Sequence, residues 1–198
     1  MSKTCNLVLI IPLLSIALAG CGGDDDDDSP ASPPGNQIID NLCGNKINDK
    51  NGTNASGPCL KIATDANGKY FTSSPSDAVQ AEFVFFHGSM SNDTDTGHSG
   101  PTGKFLTLSL SGASAWCHAL NNRAFAGISN WRLPTATELN NFNNYRNSKM
   151  WSDFGWPTER CYWTSTPSSS LQVGINFFDY SNCIIPASSN EFVSCTAP

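Results

Sequence analysis

Side chains able to attack, move a proton or hold a metal are sparse in this chain, and only a few places bring them close in sequence. Gly97-His-Ser-Gly100 sets a serine beside a histidine, the beginnings of a Gly-x-Ser-x-Gly nucleophile turn. Pro101 stands where the last glycine belongs, and the Gly/Ser/Asp surroundings are those of a loop, whereas a nucleophile turn needs a strand running into a helix. Cys117-His118 pairs a thiol with an imidazole, but that thiol is expected to be consumed in a disulfide; His87 is isolated. Asn92-Asp-Thr-Asp95 and Asp65-Ala-Asn-Gly68 could offer oxygens to calcium, which needs several of them converging; such Asn/Asp/Gly clusters more often make turns. No Cys-x-x-Cys or His-x-x-x-His spacing occurs, so neither a zinc site nor a dithiol redox centre is expected. Catalysis needs a nucleophile, a base and a group to hold developing charge. The expectation is a protein that is not an enzyme and carries no metal or cofactor.

The elements around these residues are legible by period. Ala113, Trp116, Cys117 and Leu120 fall on one helical face, with Ser111 as candidate N-cap and Gly127 beyond the end. Thr135 and Glu138 form a Thr-x-x-Glu capping box that opens a second helix, whose Leu139 and Phe142 face the core. Between Leu171 and Phe177, Val173, Ile175 and Phe177 alternate with Gln172, Gly174 and Asn176, which is strand behaviour. Further strands are expected over Glu82–Phe86, Lys104–Ser109 and Phe192–Cys195. Two helices among antiparallel strands give an α+β domain.

The ends and the composition set the rest. Leu7 to Ala19 is an apolar run, interrupted by Pro12, after a short positive start at Lys3. It is shorter than the roughly 20 residues that span a bilayer, so a cleaved signal over residues 1–20 is expected. Leu18-Ala-Gly-Cys21 resembles the bacterial lipobox; the resemblance implies cleavage before Cys21 and its acylation, and Gly22, in place of Asp, implies transport to the outer membrane. Asp24–Asp28 and the Pro-rich stretch to Gly35 read as a self-repelling tether over residues 21–36. Losing residues 1–20 removes only Lys3, so the net charge of −6 becomes −7, of which the Asp run holds five. The remaining body is nearly neutral and has no basic stripe, which excludes nucleic acid as a partner.

Eight cysteines are present; without Cys5 and Cys21, six remain, an even number that in an exported chain points to disulfides but permits many pairings.

The ordered series Trp116-Cys117, Ser129-Asn-Trp-Arg-Leu-Pro-Thr135, Gly155-Trp-Pro-Thr158, Cys161-Tyr-Trp-Thr-Ser-Thr166 and Val193-Ser-Cys195 resembles the C-terminal C-type-lectin-like domain of intimin/invasin-type bacterial adhesins, and a wider bacterial family built around Trp-Arg-Leu-Pro-Thr. Weaker matches at Lys69–Ser76 and Gly100–Phe105 extend it over residues 68–198, leaving 37–67 as a small disulfide-closed segment. The resemblance implies a C-type-lectin-like fold with Cys117 joined to Cys195 and Cys161 to Cys183; Cys43 and Cys59 then pair locally. It also implies binding rather than catalysis. The Glu-Pro-Asn, Gln-Pro-Asp and Trp-Asn-Asp triplets of calcium-dependent lectins are absent. Trp131 and Leu133 are expected to fill the core, Pro134 to set the helix start, and Arg132 to hold loop carbonyls or Glu138.

Recognition is then expected on loops. The candidate patch runs through Met150, Trp151, Asp153, Phe154, Trp156 and Arg160, flanked by Phe178, Asp179, Tyr180 and Asn182, since aromatics and Arg dominate interfaces and aromatic rings stack on sugars. Trp151, Asp153, Phe154, Asp179, Tyr180 and Asn182 are the ligand-binding candidates. The expected protein is a lipid-anchored outer-membrane surface protein of adhesin type, with a protein receptor or glycan as ligand. Unlike intimin and invasin, the chain is not expected to carry a membrane β-barrel or immunoglobulin-like repeats, so the expected reach is tens of ångströms at most, on the order of 5–6 Å × √n for a flexible tether. Alternatives are a periplasm-facing assembly lipoprotein and, from the Asn140–Tyr145 run, a retroelement-diversified binder.

Overall fold

A computed structural model describes residues 42–80, 90–98, 100–147 and 149–198. The signal, Cys21 and its acylation, the tether, the strand expected over Glu82–Phe86, and His87 lie outside the described residues. In chain order the elements are β1 (Ile62–Thr64), β2 (Tyr70–Thr72), α1 (Asp77–Gln80), β3 (Met90–Asp95), β4 (Gly103–Leu108), α2 (Leu110–Asn122), α3 (Ala136–Tyr145), α4 (Met150–Phe154), β5 (Cys161–Ser168), β6 (Leu171–Asn176), β7 (Asn182–Ile185) and β8 (Thr196–Ala197). They form three antiparallel sheets, β1-β2-β8, β3-β4 and β5-β6-β7. This is the α+β arrangement expected of a C-type-lectin-like fold.

Local chemistry places the two long helices. Ser109, not Ser111, caps α2: its Oγ accepts from the Gly112 N–H at 3.3 Å, while Ser111 Oγ lies 3.2 Å from Ser109 Oγ. Both serines carry the right hydroxyl; pairing of Leu108 with Glu191 holds the chain extended up to Ser109 and so decides which one caps. Ala113, Trp116, Cys117 and Leu120 are buried as their period requires. Gly127 closes a separate 3-10 turn at Phe125–Gly127, so it does not end α2 itself. At α3 the capping box is complete, with Thr135 Oγ1 accepting from the Glu138 N–H and Glu138 Oε2 accepting from the Thr135 N–H at 2.8 Å.

The Trp-Arg-Leu-Pro-Thr segment is a joint. The backbone of Trp131 is held by the side-chain amide of Asn121 on α2. Arg132 exchanges both backbone hydrogen bonds with Thr196 of β8, at 3.0 and 2.7 Å. Pro134 O accepts from the Ser165 N–H of β5 at 2.7 Å. Arg132 grips Glu138 through two nitrogens, at 2.7 and 2.9 Å, and Lys69 Nζ donates to the same carboxylate at 2.6 Å. The hydrogen bond from Arg132, aided by Lys69 and the Thr135 N–H, holds the Glu138 carboxyl well below the usual carboxylate range against the opposing effect of burial.

The C-terminal segment ties these parts together. Leu108 of β4 and Glu191 exchange backbone hydrogen bonds at 2.9 and 3.0 Å; Phe192 bonds into β5 at Cys161 and Trp163; Val193 donates to Ser74 Oγ, Cys195 to Thr72 Oγ1. The expected strand over Phe192–Cys195 is therefore not one ladder. Each residue bonds to a different neighbour, and regular pairing begins only at Thr196 in β8.

Three disulfides join Cys43 to Cys59, Cys117 to Cys195 and Cys161 to Cys183, the pairs implied by the resemblance. Cys117–Cys195 fastens α2 to the C-terminal segment. The boundary expected at residue 67 falls in the turn between β1 and β2, so the N-terminal segment shares its sheet with the rest. Inside that segment Lys61, 2 % exposed, donates from Nζ to Asp49 Oδ2 at 3.1 Å and to Asn51 O at 2.7 Å. Burial pulls the Lys61 ammonium below its ordinary value, and Asp49 opposes this.

Apolar packing falls into two clusters. Trp116, Trp131, Leu133, Trp163 and Val193 gather around α2. Phe71, Phe142, Trp156, Tyr162 and Phe177 gather around α3, with Phe71 and Phe142 stacked at 4.3 Å between centroids. Two of the buried polar tips are matched, Trp163 Nε1 donating to Leu108 O at 2.5 Å and Tyr162 OH to Pro157 O at 2.6 Å, while Trp131 Nε1 and Trp156 Nε1 have no acceptor among the described residues.

Replacing both Cys117 and Cys195 by Ala is expected to cost about 4 kcal/mol by the loop-entropy account, read as a fall in the urea midpoint. The Glu138 cluster has a pH signature. Because its folded pKa is depressed, its stabilisation is fully present above the unfolded value of about 4.3 and is lost as pH falls below it. Glu138→Gln is therefore expected to melt below the parent at pH 7, by about 1 kcal/mol for a largely exposed cation partner, with the gap closing towards pH 2.

Candidate functional site

The expected patch divides into a core part and a surface part. Met150, Phe154 and Trp156 are buried, so Phe154, expected as a ligand contact, is a packing residue. The reason lies in α4: one short turn of helix directs Met150 and Phe154 inward, and Gly155 ends it at φ 66° against the backbone of Gly52, where a Cβ would come within 2.7 Å. Trp151 and Asp153 stay half-buried at the surface. Arg160 is exposed but its Nε is engaged by Asp93 of β3. Asn92–Asp95 is thus a strand rather than a cation loop, with Asn92 Nδ2 donating to Asp77 Oδ1 at 2.7 Å. Asp65 Oδ1 is occupied by the N–H groups of Asn67 and Lys69, which makes Asp65–Gly68 a turn. Among the described residues no three His, Cys, Asp or Glu side chains come together as metal ligands.

Asp153 and Phe154 border a polar cavity of about 250 Å³ at the corner between the end of α3 and α4, together with Lys50, Tyr145, Arg146, Asn147 and Lys149. Arg146 is its fixed point. Its Nη2 donates to Thr64 O and Asn48 Oδ1, and its Cζ lies 4.6 Å from the Phe154 ring centroid and 5.1 Å from that of Tyr145. Tyr145 is 49 % exposed. Lys50, Tyr145, Arg146 and Lys149 were invisible as a set because they come from segments nearly a hundred residues apart; the only local cue is the Tyr145-Arg146-Asn147 run after an amphipathic helix.

The second surface is the tight turn between β6 and β7. Asn176 Oδ1 accepts from the Phe178 N–H at 2.7 Å, Asp179 Oδ1 accepts from Ser181 N–H and Oγ at 3.0 and 2.7 Å, and the Tyr180 N–H returns to Asn176 O at 3.1 Å. The Ser181 hydroxyl and N–H hold the Asp179 carboxyl below its ordinary value. Cys161–Cys183 fastens β5 to β7 across this sheet, and Gly174 lets them close, since a Cβ there would meet Ile185 Cδ1 at 2.4 Å. Phe178 and Tyr180 stand out, 51 % and 53 % exposed, and Tyr180 takes a left-handed φ of 67°. Asn182 Oδ1 accepts from Asn140 Nδ2 of α3 at 3.4 Å, so this residue lies towards the start of α3 rather than at the α4 corner. Asn143, in the same Asn-rich run, is buried.

Ser99 and His87 lie outside the described residues, and among the described ones those considered for chemistry do not assemble. Cys117 is bonded to Cys195, and His118 faces Asn122 on its own helix at 3.3 Å. His98 lies beside Phe178, with ring centroids 6.3 Å apart, in a loop whose Gly97 N–H donates to Asp95 Oδ1 at 2.8 Å. A shallow groove of about 360 Å³ beside α2 is lined by His118, Asn121, Trp131, Arg132, Leu133 and Ser165, among others. Arg132 is committed there to Glu138.

The sequence model of one family, the Lcl C-terminal domain, matches residues 91–196, more than half of the chain, from the second residue of β3 to the first residue of β8. No curated protein matches the chain.

Tyr180 supplies a test of how the exposed turn is held. A β-region side chain forced to positive φ costs on the order of 1 kcal/mol, and Asn tolerates that region. Tyr180→Asn is expected to raise the urea midpoint, and an unchanged or lower midpoint would show that the turn carries no strain at this residue.

Proposed function

Because the chain belongs to the Lcl C-terminal domain family, a family of C-type-lectin-like domains, we propose that it is a non-catalytic binding protein, lipid-anchored at Cys21 on the outer membrane and facing outward as an adhesin-type receptor module. The observation that carries this reading is the stapled β6–β7 turn, which raises Phe178 and Tyr180 into solvent on a turn fixed by six hydrogen bonds at Asn176, Asp179 and Tyr180. Large aromatics held rigid and exposed lose little entropy when they meet a partner and suit a protein patch or the face of a sugar ring. Loops on a rigid scaffold are where such binding concentrates. The absence of catalysis is supported by the fate of the reactive groups: the Cys117 thiol is spent in a disulfide, and the other five cysteines of the body are likewise paired.

Two experiments test this. Protease applied to intact cells is expected to remove the domain without lysis; protection until the outer membrane is opened would refute outward exposure. In a screen of glycans and receptor proteins, Tyr180→Ala, Trp151→Ala and Asp153→Ala are expected to weaken the ligand found, with melting temperature as the control for folding.

A further inference from the structure

The segment closed by Cys43 and Cys59 holds a group of reactive side chains away from both recognition surfaces. Lys61, Asp49 and Asn54 meet there at a single oxygen. Asp49 Oδ2 accepts from Lys61 Nζ at 3.1 Å and from Asn54 Nδ2 at 2.7 Å, so the amine and the amide stand no farther apart than those two contacts allow. The Lys61 and Asp49 side chains are 1 % and 6 % exposed. Lys61 Nζ is aimed further by Asp49 O and Asn51 O, at 3.2 and 2.7 Å. Asn54 is held from its own side: its backbone O accepts from the Gly57 N–H at 3.0 Å and lies 3.3 Å from Cys59 Sγ. Its side-chain Oδ1 is buried and has no donor. A buried oxygen left unmatched costs stability, and an ion pair that served the fold alone has no use for it.

We propose that these three residues form an internal amide cross-link, Lys61 Nζ displacing the side-chain nitrogen of Asn54 while Asp49 moves the protons. The resting form is the ion pair. Burial pulls the Lys61 ammonium down; burial raises the Asp49 carboxyl, but hydrogen bonds from Asn54 and Lys61 outweigh it. Transfer of one proton from Nζ to Oδ2 gives a neutral amine and a carboxylic acid, with no charge left to desolvate. The acid can then donate to Asn54 Oδ1, which gives that oxygen its missing partner and polarises Cγ. The Nζ lone pair attacks Cγ, and the tetrahedral centre collapses as Nδ2 takes up protons through Asp49 and leaves as ammonium. A Cγ–Nζ bond replaces Cγ–Nδ2, Asp49 returns to a carboxylate, nothing is oxidised or reduced, and no co-reactant is consumed. Fixed neighbours replace the encounter that makes such an aminolysis slow in water. The product closes the N-terminal segment a second time, so that it stays closed when Cys43–Cys59 is reduced. The cross-link is independent of what the domain binds.

The full chain, reduced and unfolded, is to be digested with trypsin and its peptides weighed. Acylated Lys61 resists trypsin, so a single Asn51–Lys69 peptide is expected, lighter than its sequence by one ammonia and silent to backbone fragmentation between Asn54 and Lys61. Asn54→Ala, which leaves the Lys61–Asp49 pair in place, is expected to restore both the full mass and cleavage after Lys61, with melting temperature as the control for folding. Cleavage of the parent after Lys61 at full mass would overturn the cross-link. So would loss of ammonia with Lys61 still cleaved, the mark of a cyclised Asn-Gly pair at Asn51 or Asn67. Resistance at Lys61 with loss of water in place of ammonia would make Asp49 the acyl donor and overturn the roles assigned.

Discussion

The fold hangs on seven residues at its C-terminal end. Glu191 to Ala197 contribute only a two-residue strand, yet they hydrogen-bond to β4, to β5, to the Ser74 and Thr72 hydroxyls, to β2 and to the Trp-Arg-Leu-Pro-Thr joint. Phe192, Val193, Ser194, Cys195, Thr196 and Ala197 are all buried. A segment of this kind has no sheet of its own. It satisfies its backbone groups by meeting one neighbour after another, as a buried chain must. Cys117–Cys195 then fixes where α2 lies relative to all of them.

This arrangement separates the motif that identifies the family from the surfaces available to a ligand. Trp131 and Leu133 are in the core; the backbone of Arg132 serves β8 and its side chain serves the capping box of α3. One carboxylate, Glu138, answers the Thr135 N–H, Arg132 and Lys69, so the helix start, the joint and the β1–β2 turn are held at one point. The parts left free of such duties are peripheral: the turn after β6 and the corner where α3 gives way to α4. Both are short and tightly hydrogen-bonded, and the corner owes its form to the close backbone approach at Gly155.

What could be read from the sequence was what is decided nearby in the chain. The Thr135–Glu138 box needs only residues three apart, and the burial of Ala113, Trp116, Cys117 and Leu120 needs only a helical period. The three disulfides followed from a family resemblance, not from spacing. Failures arose where a distant partner decides. Ser109 and Ser111 are equally good caps until Glu191 fixes the chain before one of them. Phe154 has the composition of an interface and the position of a core, and period cannot separate the two in a five-residue helix. Arg146 carries no mark of its position in the nearby sequence because its anchors, Thr64 and Asn48, lie 82 and 98 residues away.

The place of the C-terminal segment also governs the order in which the protein can acquire its structure. A chain made from its N-terminus offers α2, the capped α3 and the β5–β6 hairpin early, but the surfaces they must bury stay open until Glu191–Ala197 arrive. Those last contacts span much of the chain, 123 residues in the case of Cys195 and Thr72, and long-range closure of this kind is slow. Any chain stopped short of Glu191 is left with an unmatched thiol at Cys117 and an uncovered apolar face beside it. Without Glu191–Ala197 neither of the two apolar clusters is closed.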